Sequence, residues 1–243
     1  MNPNKFLHIA DLHLIENLHV KTVEENLHHF TMKKQVFNHI TNLIKKEEIG
    51  AILIAGDIEA EAPEKIYPFF KDWLDLDVRI FIVFGDHDTA LMRKELKELF
   101  QDEANVYMLE DGEMIQDASL NFNVYGLNCE PKQTGFLTDF KNLPVKSSEQ
   151  PTVFLTHPYQ LPKTKMRELG CEYFATGHIH HFLIEKIDEN IKLGRPGHIY
   201  SYWDGDGKAW PTGGIIGEFN GNNLTLGQTL FPVPQTLRFS ESI

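Results

Sequence analysis

An α/β (α+β) fold is predicted for this chain by three observations. The first half alternates short apolar runs with longer segments of helical spacing. The second half is a succession of short strand-like runs separated by Gly, Asn and Asp. Several apolar runs also end in a short polar block rich in Asp and His.

In chain order, Lys5-Phe6-Leu7-His8-Ile9-Ala10 reads as a strand. Val23, Leu27, Phe30, Phe37, Ile40 and Ile44 fall near helical spacing and predict a long helix from about residue 23 to residue 46. Ala51–Ala55 is short and wholly apolar, as in a strand covered on both faces. Pro63 can open a helix that buries Ile66, Phe69 or Phe70, and Trp73, which Pro68 would kink or split. Residues 78–84 read as a third strand. Residues 90–100 read as an amphipathic helix with Met92, Leu96, Leu99 and Phe100 on one side. Short strands are expected at 105–109, 120–127, 152–156, 173–176, 182–187, 215–219 and 224–230, with few helices among them. The polar stretch 130–150, with Pro131, Gly135 and Pro144, reads as a long loop. No linker stands out, so residues 1–243 are expected to form a single domain.

The totals narrow the function. Hydrophobic residues at 42% can fill a sizeable core, and no apolar run approaches the ~20 residues of a membrane span. No signal-peptide apolar region opens the chain, and two cysteines make no disulfide framework, so a cytoplasmic protein with reduced Cys129 and Cys171 is expected. The net charge of −12 counts against a broad phosphate-binding face, though not against a nucleic acid held locally by metals.

Five polar blocks carry the chemistry: Asp11-Leu12-His13, Gly56-Asp57, Gly85-Asp86-His87-Asp88, Thr156-His157-Pro158 and Gly177-His178-Ile179-His180. Each follows a strand, and ligands of open α/β sheets gather outside the carboxyl ends of strands. Strands running side by side in one direction would bring all five ends to one rim. Asp-x-His and His-x-His place two side chains on one face of an extended segment, where both can grip one metal. Carboxylate and imidazole donors suit Mn, Fe, Zn or similar ions. Singly these blocks are weak signals, but five in one order describe a site for two divalent metals, which can cleave phosphate esters.

This order of blocks resembles the calcineurin-like metallophosphoesterase superfamily, from Phe6 to about Phe239. The segments Phe6–Leu14 and Ile52–Asp57 look most like the SbcD-type DNA exonucleases, the bacterial counterparts of the double-strand-break repair nuclease. The resemblance implies a two-sheet β-sandwich flanked by helices. It implies that Asp11, His13 and His180 hold a first metal, that Asp86, His157 and His178 hold a second, and that Asp57 bridges them. His87 would stand at the substrate phosphate, and Asp88 would orient its ring. The cofactor implied is a pair of divalent ions, Mn2+ first, with Fe, Zn or Mg as alternatives. DNA is the implied substrate. A homodimer and an ATPase partner are implied by the SbcD resemblance, and no membrane is.

The chain departs from that pattern in three places. Asp86 stands where the family has Asn. A charged oxygen should bind metal more tightly, make it a weaker Lewis acid and remove a hydrogen-bond donor. After Asp57, where SbcD-type nucleases often place a His or Asp a few residues on, the segment is Ile58-Glu59-Ala60-Glu61; Glu59 or Glu61 could substitute, but both read best as surface carboxylates. No capping domain is expected within residues 1–243. Arg195 is a candidate phosphate contact, Tyr202 or Trp203 a candidate base-stacking surface, and Lys163, Lys165 and Arg167 read best as a solvated face. A phosphodiesterase acting on DNA is the leading expectation. The alternatives are a phosphatase or pyrophosphatase on a nucleotide or lipid precursor, and a catalytically weakened metal-binding scaffold.

Overall fold

The computed structural model describes residues 1–14, 23–59, 66–129, 149–158, 161–199 and 212–231, with backbone alone for 23–30. Two six-stranded mixed sheets face each other, with helices on their outer faces. The first sheet contains β1 (Asn2–Ile9), β2 (Ile49–Ala55), β3 (Arg79–Val83), β4 (Val106–Met108), β11 (Gly213–Asn220) and β12 (Asn223–Leu230). Its order is β12-β11-β1-β2-β3-β4. β1 to β4 run parallel, and β11 and β12 form an antiparallel edge. The second sheet contains β5 (Met114–Ile115), β6 (Asn123–Leu127), β7 (Thr152–Thr156), β8 (Tyr173–Ala175), β9 (Leu183–Lys186) and β10 (Lys192–Arg195). Its order is β5-β6-β7-β8-β10-β9, parallel from β6 through β10.

Strand alternation sorts the apolar residues into layers. Leu7, Ile9, Ile52, Ile54, Ile80 and Ile82 face the helices, whereas Phe6, Leu53, Ala55, Phe81 and Val83 face the second sheet. The helix layer is α1 (Val23–Glu47), α2 (Tyr67–Leu74) and α3 (Ala90–Leu99). Phe37 of α1 stacks on Trp73 of α2 at 4.8 Å, and Trp73 Nε1 donates to Thr41 Oγ1 at 3.1 Å. On the far side, α4 (Lys163–Leu169) seats Met166 and Leu169 against Phe154 and Phe174. His8 lies in the layer between the sheets, hydrogen-bonded to the Tyr173 hydroxyl at 2.9 Å. Burial pushes its pKa down to about 3, so it is a neutral core residue.

Several expectations change here. Pro68 does not split a helix, because α2 begins at Tyr67 and the proline occupies its first turn, where its missing N–H is harmless. Ile66, Phe69, Phe70 and Trp73 are all buried, not one of the two phenylalanines. β5 and β10 are additional strands. Pro63, Glu61, Tyr202, Trp203, most of the 130–150 stretch and the side chains of Val23, Leu27 and Phe30 lie outside the described residues. Among the described residues, no helix is long and apolar enough to cross a membrane.

Candidate metal centre

The five blocks do meet at one rim, but that rim belongs to two sheets. The parallel β1, β2 and β3 of the first sheet deliver Asp11, His13, Asp57 and the Gly85–Asp88 loop. The parallel β7 and β8 of the second sheet deliver His157, His178 and His180. Facing the two sheets, as the two-sheet sandwich expected from the resemblance does, brings the five strand ends together.

The ladder between β1 and β2 continues past the strand ends. Asp11 N–H donates to the Gly56 carbonyl at 3.1 Å, His13 N–H to Asp57 at 3.0 Å and Leu14 N–H to Ile58 at 2.9 Å. These residues are not extended. Asp11, His13, Asp57, Glu59 and His178 all have positive φ, between 39° and 68°. They make up five of the seven such non-glycine residues among those described. Left-handed turns, not strand alternation, aim Asp11 and His13 into one site. Such strained conformations gather at functional sites. Gly56 has φ +79°, and a Cβ there would lie 2.6 Å from His157 Nδ1.

Ligand-type atoms form two clusters, Asp57 with Asp86, His157 and His178, and Asp11 with His13 and His180. In each, the atoms lie within 4.8 Å of one another. Asp57 Oδ2 spans the two, 3.3 Å from His157 Nε2 and 3.8 Å from His13 Nε2. Its Oδ1 accepts the backbone N–H of His87 at 3.1 Å.

The donor set fits a cation. His157 is fully buried, and its Nδ1 lies 2.7 Å from the Ala55 carbonyl, which commits that nitrogen to carrying a proton. Its Nε2 then faces Asp86 Oδ1 at 3.0 Å, Asp57 Oδ2 at 3.3 Å and His178 Nδ1 at 3.3 Å. Acceptors crowd that point, so it needs a second proton on His157 or a metal ion. Burial alone would lower the His157 pKa, but Asp57 and Asp86 outweigh it and hold it well above the usual value. Asp57 and Asp86 are held low in turn, because the His157 ring, joined by His178 at Asp86, outweighs the cost of burial. In the other cluster, Asp11 Oδ2 is buried with no hydrogen-bond partner, and burial raises the Asp11 pKa to about 6. A buried orphan oxygen of this kind calls for a cation. Burial and the neighbouring His13 lower His180 to about 4, leaving it neutral and able to ligate.

His87 stands exposed at the mouth. Two carboxylates depart from the roles expected for them. Asp88 does not orient the His87 ring. It is fully buried, accepting the backbone N–H groups of Glu59 at 2.9 Å and Gly85 at 2.7 Å. Glu59 is not a surface carboxylate. Its Oε2 bonds His13 Nδ1 and its Oε1 lies 3.6 Å from His87 Nδ1. The Glu59 carboxylate beside it raises His87 to about 9, and His13 and His87 overcome burial to hold Glu59 at about 2.

Arg195 Nε donates to the His181 carbonyl at 3.0 Å, just beyond the loop that carries His178 and His180. Lys163 pairs with Glu185, Lys165 with Glu168 and Arg167 with Asp188, as a solvated face would. His198, unassigned from sequence, packs its ring 3.6 Å from that of His180, centroid to centroid. No spacing rule could have pointed to that contact.

A fold of two facing sheets with paired Asp and His clusters at a shared rim defines a metallophosphoesterase. The calcineurin-like phosphoesterase family matches residues 4–211, and the chain belongs to that family. No curated protein matches it. Among solved structures it is similar to TT1561 of Thermus thermophilus, at 10% identity and a TM-score of 0.58, over 93% of this chain and 99% of that one. It is also similar to a dimetal phosphatase from Danio rerio, at 10% identity and a TM-score of 0.54, over 95% of this chain and 97% of that one. At such identities the likeness is one of fold.

Proposed function

We propose that this protein is a binuclear-metal phosphodiesterase whose substrate is DNA. The observation that carries the reading is the convergence of seven ligand-type side chains into two clusters, with Asp57 reaching both. Asp11, His13 and His180 would hold one divalent ion, and Asp86, His157 and His178 the other, with Mn2+ the first choice and Fe, Zn or Mg also suited to these donors. Such ions, when bound, polarise the phosphate and make water a nucleophile near neutral pH.

The chain's own side chains supply the rest. His87 sits at the mouth with Glu59 behind it, and the Glu59 carboxylate favours its protonated form. It can hold a phosphate oxygen and give its proton to the leaving oxygen. Asp57 Oδ1 holds the His87 backbone N–H, so the acid and the bridging ligand keep a fixed spacing. Arg195 remains the candidate for a further phosphate contact.

DNA is favoured by the likeness of Phe6–Leu14 and Ile52–Asp57 to the SbcD-type exonucleases. The charge of −12 favours short or single-stranded ends over a long duplex footprint. That same charge, and the likeness in fold to a dimetal phosphatase, support a second reading, a phosphatase on a small phosphate ester. A homodimer and an ATPase partner belong to the SbcD reading and stand or fall with it, whereas a cytoplasmic location rests on Cys129 and Cys171 being reduced thiols.

End-labelled single- and double-stranded DNA incubated with the protein and Mn2+, beside a chelator control and Asp57→Ala, tests the proposal. Cleavage abolished by both controls is expected. Intact DNA alongside chelator-sensitive hydrolysis of p-nitrophenyl phosphate would replace the nuclease reading with the phosphatase one.

A further inference from the structure

We propose that Glu59 is a positioning residue that serves two histidines at once, orienting His13 toward its metal and holding His87 at the substrate. The inference rests on the two-metal reading above. It starts from one carboxylate whose two oxygens face two different rings, Oε2 bonded to His13 Nδ1 and Oε1 3.6 Å from His87 Nδ1. The two rings meet edge to face, with centroids 5.4 Å apart.

Bonding at Nδ1 decides what His13 does with its other nitrogen. A carboxylate on Nδ1 fixes the proton there and leaves the Nε2 lone pair for a metal. His13 Nε2 is the nitrogen turned toward Asp57 Oδ2, 3.8 Å away, and His13 clusters with Asp11 and His180. Glu59 thus stands behind a ligand of the first cluster, on the side away from the other ligand atoms. Its second oxygen faces a ring that belongs to neither cluster and is exposed at the mouth.

The chain fixes the Glu59 backbone from three directions. Ile58 is buried among the helix-facing residues and anchors the preceding position. The ladder pairs His13 with Asp57 and Leu14 with Ile58, which carries Glu59 alongside His13. The buried Asp88 carboxylate takes the Glu59 N–H at 2.9 Å, tying it to the loop that bears His87. Glu59 also has φ +41°, in the left-handed region that non-glycine residues seldom adopt. A surface carboxylate would need none of these restraints.

Calorimetric Mn2+ titration of the full chain, Glu59→Ala, Glu59→Gln and Asp57→Ala tests this, with kcat and KM measured at saturating Mn2+. In Glu59→Ala, one of two Mn2+ sites should weaken by roughly 10–100-fold while the other is unchanged. The rate should fall in kcat more than in KM, because His87 loses its support. Glu59→Gln keeps an acceptor for His13 Nδ1–H and should recover most of the Mn2+ affinity. A folded Glu59→Ala with both affinities and kcat unchanged overturns the proposal. If Glu59→Ala does not fold, Glu59→Gln decides, a several-fold fall in kcat supporting the proposal and an unchanged kcat overturning it. Asp57→Ala separates the two claims. Loss of Mn2+ binding there with Glu59→Ala unaffected removes Glu59 alone, whereas an unmodified chain that binds no Mn2+ removes both readings.

Discussion

Asp86 Oδ1 lies 3.0 Å from Nε2 of His157. The same oxygen is 3.0 Å from His178 Nδ1, so a single carboxylate oxygen faces both histidines of its cluster. The side chain that departs from the family pattern is therefore aimed where a metal would sit. Asp86→Asn should weaken Mn2+ binding by about tenfold, or ~1.4 kcal/mol, and should raise the rate at saturating Mn2+ because the ion becomes a stronger Lewis acid. Calorimetry and initial rates on the two proteins check this. Equal affinities and equal rates would show that the charge of Asp86 does not matter.

The His87 side chain belongs to neither ligand cluster, and Glu59 raises its pKa to about 9. Its protonated form persists at neutral pH and is lost as pH rises through that value. Bound metal charges oppose protonation, so the alkaline limb of the rate profile should fall at or below pH 9. His87→Ala should lose this limb and slow hydrolysis of an alkoxide-leaving diester by about 10²–10⁴-fold. With p-nitrophenol, which leaves without a proton, the loss should be small, and Mn2+ affinity should not change. A rate loss independent of the leaving group would remove His87 from the role of acid.

The buried carboxylate of Asp88 predicts a folding defect, with any loss of activity following from the loosened Glu59 and Gly85 backbone. Asp88→Ala orphans the backbone N–H groups of Gly85, which is buried, and of Glu59, which is partly buried, and a buried donor left unsatisfied costs about 1–3 kcal/mol. Urea unfolding should show the loss as a lower midpoint with an unchanged slope. Full stability with selective loss of activity would return Asp88 to the role expected from sequence.

The motif order was readable in the sequence because each block is local and each strand before it is a compact apolar run. Three features were not readable, for physical reasons. Assigning β7 and β8 to a second sheet depends on pairing between residues far apart in the chain, which periodicity does not record. The places of Glu59 and Asp88 depend on which carboxylate is buried and which faces His87, and acids in different loops look alike in sequence. β5 is two residues long, and β10 reads Lys192-Leu193-Gly194-Arg195, without the β-branched alternation that marks a strand. Pro68 misled because a proline that breaks a helix interior is favoured one residue inside its start.

Gly85 gives the sharpest steric test of the site. It is buried, and a Cβ built on it would overlap the Asp57 Oδ1 oxygen and lie 2.6 Å from the Asp57 backbone nitrogen. That Oδ1 accepts the His87 N–H, and the other oxygen of the same carboxylate spans the two clusters. Asp57 cannot swing away without leaving both clusters, and its backbone is held in the ladder to His13. Gly85→Ala should therefore displace the Asp57 carboxylate that reaches both clusters, weakening Mn2+ binding at least tenfold and costing about 1–3 kcal/mol of stability through overpacking. Gly227→Ala, on β12, supplies the control, since a Cβ there meets nothing within 4 Å. It should leave both metal binding and activity intact. If Gly85→Ala binds two Mn2+ ions as tightly as Gly227→Ala does, the close approach of Gly85 to Asp57 is not what holds that carboxylate in place.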